Sequence, residues 1–162
     1  MPGFLFKASE KVENGDDTDY KRWIDDDKLS QKYRKAKMSV THFRRGNWDV
    51  YIGRHSAGAR RAGISASVCI WGNPFPMRDE RDHERAEVVA KYERWLLDPK
   101  QDAMVQRARR ELKGKCLACW CSPKQCHGDV LAWVANVESL EEINRRRMEL
   151  GIREVAYNGD VQ

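Results

Sequence analysis

The chain has 162 residues, of which 41% are hydrophobic and 34% charged, a size and balance that suit one domain with its own core and exclude two full ones. No apolar run is long enough to cross a bilayer, and the opening MPGFLFKASEK lacks the basic start and long apolar stretch of a leader, so a cytoplasmic protein without a membrane partner is expected. Four of the five cysteines crowd between Cys116 and Cys126, unlike the dispersed framework of a secreted disulfide protein, and point to reduced thiols.

Residues 1–40 read as a polar arm, rich in NGDDTD and DDD, with one helical turn expected around Tyr20 to Ile24. The net charge of +5 is concentrated just beyond: residues 31–61 carry nine Lys/Arg against one Asp/Glu, interleaved with Tyr33, Phe43, Trp48 and Tyr51. That mixture suits phosphate contacts with base stacking, or equally a solvated face that neutralises the acidic arm.

WDVYI at 48–52 is a short β-rich run closed by Gly53 and predicts a buried strand. Residues 54–76 read as a loop punctuated by glycines and prolines, with SASVCI at 65–70 a candidate third strand; a loop of that length calls for a function. From Arg81 to Leu97 the apolar Val88, Tyr92, Trp95 and Leu96 form the stripe of an amphipathic helix, stopped by Asp98 and Pro99. A second helix follows in QDAMVQRARRELKG, with Met104, Val105, Ala108 and Leu112 on one face and Gly114 as its stop. CLACWC predicts another buried strand, HGDVLAWVANV another helix, and SLEE at 139–142 a capping box opening a last helix that ends near Gly151. The order is that of an α/β domain with a mostly parallel sheet, its core at 41–137 and a C-terminal helix and tail at 138–162.

In a parallel sheet the loops leaving the carboxyl ends of the strands meet in one crevice, so Arg54, WGNPF and CSPKQCHGD are expected to converge. Trp71 and Phe75 offer stacking surfaces, Asn73 a two-way amide and Arg54 a phosphate partner, while Lys124 and Gly128 suit an anion cradled at a helix start. Trp71 and Phe75 serve equally well as core plugs. For catalysis, His127 is the candidate acid or base, Cys126 the nucleophile and Asp129 the orienting partner, or else a helix N-terminal charge.

A zinc site from Cys116, Cys119, Cys121, Cys126 and His127 is chemically open, but an extended segment would hold Cys119 and Cys121 roughly 6.5 Å apart along the chain. Thiolates on one zinc sit about 3.8 Å apart. On that ground no metal ligand and no cofactor are assigned, and Cys119 reads as a small core residue.

VYIGR at 50–54, WGNPF at 71–75, YERWLL at 92–97 and LKGKCLACWCSPKQCHGDVLA at 112–132 together resemble an uncharacterised family of bacterial and phage proteins, a domain of unknown function with WGNPF and L-x-CWC-x-P-x-x-CH-x-DVL elements. The resemblance covers residues 48–136. It implies a single three-layer, Rossmann-like domain, related to nucleotide-binding folds of nucleic-acid modification or host–phage conflict. By position it marks Arg54, Trp71, Gly72, Asn73, Pro74, Phe75, Cys119, Trp120, Cys121, Pro123, Cys126, His127 and Asp129, and it leaves Cys116 out.

The leading expectation is a domain that binds a nucleotide, a nucleotide-derived ligand or an exposed base, with chemistry at a glycosidic or phosphate bond if it is an enzyme. The rivals are a non-enzymatic nucleic-acid-binding protein, a phage factor that binds a host protein through its terminal segments, and a structural zinc protein built on the cysteines.

Overall fold

The computed structural model describes residues 40–78 and 82–152; the expected turn at Tyr20 to Ile24 and most of the polar arm lie outside them. Three short strands form a parallel sheet in the order β1 (Val40–His42), β3 (Leu117–Cys119), β2 (Val50–Tyr51). Val40 and Val50 both lie opposite Leu117, His42 lies opposite Cys119 and Tyr51 opposite Ala118. WDVYI and CLACWC are thus parallel neighbours, as expected, although both strands are shorter than the apolar runs that contain them. Asp49 fixes where they start, because its carboxylate accepts from Cys116 N at 2.8 Å while Cys116 O accepts from Asp49 N at 2.9 Å.

SASVCI is not a strand. It holds a 3-10 turn at Ala66–Val68, started by Ser65, whose hydroxyl accepts from Ser67 N and so offers the backbone a local alternative to a ladder. The third strand comes instead from Val40–His42, inside the basic block, where three residues are too few for alternation to be legible.

Five helices accompany the sheet among the described residues: α1 (Ala57–Arg61), α2 (Asp82–Leu96), α3 (Asp102–Glu111), α4 (His127–Asn136) and α5 (Leu140–Glu149). The stripe expected on α2 is the face it buries, with Val88, Tyr92 and Leu96 inside and Trp95 packed at the margin. Past the end of that helix Asp98 caps a 3-10 turn at Pro99–Gln101, accepting from Lys100 N at 2.9 Å. On α3 the inward residues are Val105, Ala108 and, just past its end, Leu112. Helix α4 is buried almost all round, from His127 through Ala135, because it runs between the sheet and the other helices.

The expected capping box of α5 does not form. Ser139 makes no bond to the backbone there, and its side chain is engaged by the Glu141 carboxylate instead. The helix docks on the core through Ile143, through a fork of Arg146 on Glu93 at 2.7 and 3.0 Å, and through Arg147, which donates to Leu97 O at 2.8 Å.

Strand alternation gives the sheet two unlike faces. Leu117 and Cys119 join Val40 and Ile52 beneath α2, α3 and α4, whereas Ala118 and Tyr51 face a second cluster with Ala59, Phe43, Trp48 and Trp120. No described helix is long and apolar enough to cross a membrane.

Candidate functional site

Two chain segments leave the sheet side by side. Ile52 N still bonds Ala118 O at 2.9 Å, after which Gly53 and Arg54 turn away. Tyr51 ties the two exits together: its hydroxyl donates to Arg54 O at 3.0 Å and accepts from Trp120 Nε1 at 2.8 Å. WGNPF is pressed against the same exit, since a Cβ on Gly72 would stand 2.9 Å from Arg54 Cγ and 3.1 Å from Arg54 Cα, so only glycine lets the two backbones approach this closely. The predicted convergence of Arg54, WGNPF and the cysteine turn is therefore real.

Between them lies a cavity of about 260 Å³. Arg54, Asn73, Phe75, Cys126 and His127 line it, as do Arg85, Val88 and Val89 from α2, and Cys119, Trp120, Cys121 and Gln125 from the β3 exit. Gln125 Oε1 is buried without a hydrogen-bond partner among the described residues.

β3 ends at Cys119, so Trp120 and Cys121 belong to the turn, which continues through a cis Ser122–Pro123 bond and closes with Lys124 N on Cys121 O at 2.9 Å. This corrects the separation expected for an extended CLACWC. The sulfurs of Cys119, Cys121 and Cys126 all lie within 4.8 Å of one another. Cys126 is the N-cap of α4: its sulfur accepts from Gly128 N at 3.3 Å while Asp129 Oδ2 accepts from Cys126 N at 2.9 Å, a reciprocal capping box made by cysteine in place of serine.

The three thiols share their protons unequally. S–H donation from Cys119 and Cys126 holds the Cys121 thiol far below the usual range, with further help from Arg85 and His127. The donors are pushed up in return, and burial raises both further. Burial also lowers His127, whose Nε2 lies 2.9 Å from Ile52 O and must carry the proton to bond there; Nδ1 then faces Cys126 Sγ at 3.6 Å.

Several predicted residues do other work. Trp71 is 3% exposed in the main core, beneath Arg107, and is absent from the cavity wall. Asn73 donates to Val88 O at 3.2 Å and accepts from Phe75 N at 2.9 Å, so its amide fastens WGNPF to α2. Asp129 caps the helix by accepting from Cys126 N, and the imidazole it was expected to orient is held by Ile52 O instead. Gly128 is buried against Ile52 and Val40, where a Cβ would fall 2.5 Å from Ile52 Cδ1, and no anion cradle is left there. Lys124 is exposed and off the cavity wall. The family resemblance marks Trp120 and Cys121 without giving them a role in the wall, and Arg85 was not singled out at all. The C-x-C spacing signals that Cys121 shares a side with Cys119, but Arg85 sits in a charge-rich helical stretch with nothing to distinguish it.

Residues 34–137 match the family described as Domain of unknown function (DUF4326), and the chain belongs to that family. No curated protein and no solved structure matches it.

Proposed function

We propose that this member of the family is a Rossmann-like, three-layer domain that binds a nucleotide, a nucleotide-derived ligand or an exposed base in the cavity at the carboxyl ends of β2 and β3. The observation that carries the reading is the wall itself: the aromatic residue Phe75 lines the same cavity as the arginines Arg54 and Arg85. Aromatic faces accept a base of any sequence, and guanidinium forks match phosphate oxygens. Ligands of open parallel sheets sit at this end of the strands. A volume of about 260 Å³ is close to the lower bound of ligand pockets, roughly 300 Å³, which favours a base or mononucleotide over a dinucleotide.

In this reading Arg54, exposed at the rim, meets the phosphate, and Phe75 stacks. Chemistry at a glycosidic or phosphate bond is the weaker half, because the imidazole Nε2 of His127 is engaged by Ile52 O and the Cys126 sulfur is buried and caps α4.

Calorimetric titration of the full chain with a panel of nucleosides and nucleoside monophosphates tests the reading. Saturable binding is expected, weakened about tenfold, or about 1.4 kcal/mol, by Arg54→Ala for the phosphorylated ligands alone, and weakened by Phe75→Ala for all. A strand with an exposed base would add a steep loss of affinity with salt. No binding across the panel, or binding indifferent to both substitutions, would discard the proposal.

A further inference from the structure

We propose that Cys119, Cys121 and Cys126 form a three-thiolate site for one soft divalent metal ion, zinc by preference, with its fourth coordination position open to the cavity. The inference goes beyond the ligand reading and does not rest on it.

The donor set comes from two separate structural decisions. Cys119 and Cys121 flank Trp120, so the turn carries both sulfurs to the helix side while the indole goes to the other cluster. Cys126 arrives from the start of α4, fixed there by its capping bonds. All three sulfurs lie within 4.8 Å of one another, and a tetrahedral ion with bonds of about 2.3 Å needs them about 3.8 Å apart, a difference that small side-chain rotations close. A [4Fe–4S] cluster would place each thiolate on a different iron and spread the sulfurs further. Soft sulfur donors select zinc over magnesium or calcium.

The surroundings suit a charged centre. Gly128 N already donates to Cys126 Sγ at 3.3 Å, the contact that steadies a ligating thiolate, and Arg54 and Arg85 line the same cavity as the excess negative charge of three thiolates on a divalent ion. A closed structural site would require a fourth protein ligand, and none of the described His, Cys, Asp or Glu side chains joins the group. His127 Nδ1 touches Cys126 Sγ alone among the three sulfurs, and Cys69 and Cys116 stand outside the set. All three cysteines line the cavity, so the open position is filled by water or by an atom of whatever binds there. The thiol protons displaced by the ion pass to solvent.

Titration of the reduced, metal-free full chain with cobalt(II), followed by zinc competition, is the test. One equivalent of cobalt should give thiolate charge-transfer absorption and the visible bands of a tetrahedral ion, both erased by zinc. Cys119→Ser, Cys121→Ser and Cys126→Ser should each weaken binding more than about 100-fold, beyond the loss typical of an outer-shell partner, while Cys69→Ser and Cys116→Ser leave it unchanged. Because substitution of a buried cysteine can unfold the chain, alkylation of the wild type is followed in parallel by mass spectrometry. Zinc should protect Cys121 and leave Cys69 and Cys116 as reactive as before. Absence of stoichiometric binding, equal sensitivity to Cys116→Ser, unaltered Cys121 labelling with zinc, or iron bound with acid-labile sulfide would each overturn the assignment. Arg54→Ala and Phe75→Ala should retain the ion, so failure of the metal site and failure of the ligand reading are separable.

Discussion

The two faces of the sheet are built on different principles. Beneath α2, α3 and α4, aliphatic side chains such as Leu117, Ile52, Leu96 and Leu131 are wholly buried and interlock without polar partners. On the other face Phe43 packs on Trp48, Tyr51 and Trp120 with ring centroids 5.6, 5.4 and 4.7 Å apart, and the polar tips are satisfied at the margin: Trp48 Nε1 donates to Phe43 O at 3.0 Å and Trp120 Nε1 to Tyr51 OH. The first face supplies stability, and the second aims the strand exits. Phe43, Trp48 and Tyr51, the described aromatics of the basic block, are occupied in this way, Tyr51 being 4% exposed, while Arg44, Arg45, Arg60 and Arg61 remain exposed.

The contrast is sharpest for Leu117→Ala. A fully buried leucine at the centre of the sheet leaves a cavity that the close-packed helices cannot fill, and a loss of about 3 kcal/mol is expected in urea unfolding. Phe43→Ala, on the half-open aromatic face, should cost about 1.5 kcal/mol, because truncating a partly buried ring forfeits less apolar area and leaves less void. It should also loosen the Tyr51–Trp120 tie, read as a shift in tryptophan fluorescence. If the two substitutions cost the same, the faces are not distinct in the way described. Smallest is Asp129→Ala at the join between core and cavity: loss of the capping bond to Cys126 N should cost about 1 kcal/mol. Ligand binding by the folded variant should persist, whereas a loss of binding in the calorimetric titration without a loss of stability would restore Asp129 as a partner of His127.

Most of the secondary structure was legible because its signals are local. The stripe on α2, the inward face of α3, the apolar run of α4 and the two β-rich runs each declare themselves within a dozen residues. SASVCI misled because its serines bond the nearby backbone, and Val40–His42 was missed because a strand that short owes its conformation to the partner it pairs with. In the site, Arg54, Asn73, Phe75, Cys126 and His127 reach the cavity, Lys124 lies off its wall, and Trp71, Gly128 and Asp129 are held in the packing and capping around it.

Local pattern alone therefore marked the two β-rich runs and the four longer helices, and their order along the chain implied that β2 and β3 pair in parallel with their exits at one end of the sheet. The tertiary structure decided which side chains face the cavity and brought the three sulfurs together. Both depend on β3 stopping at Cys119 and on a turn that returns Cys126 to it, and a bend between distant packing partners leaves no period in the sequence to read.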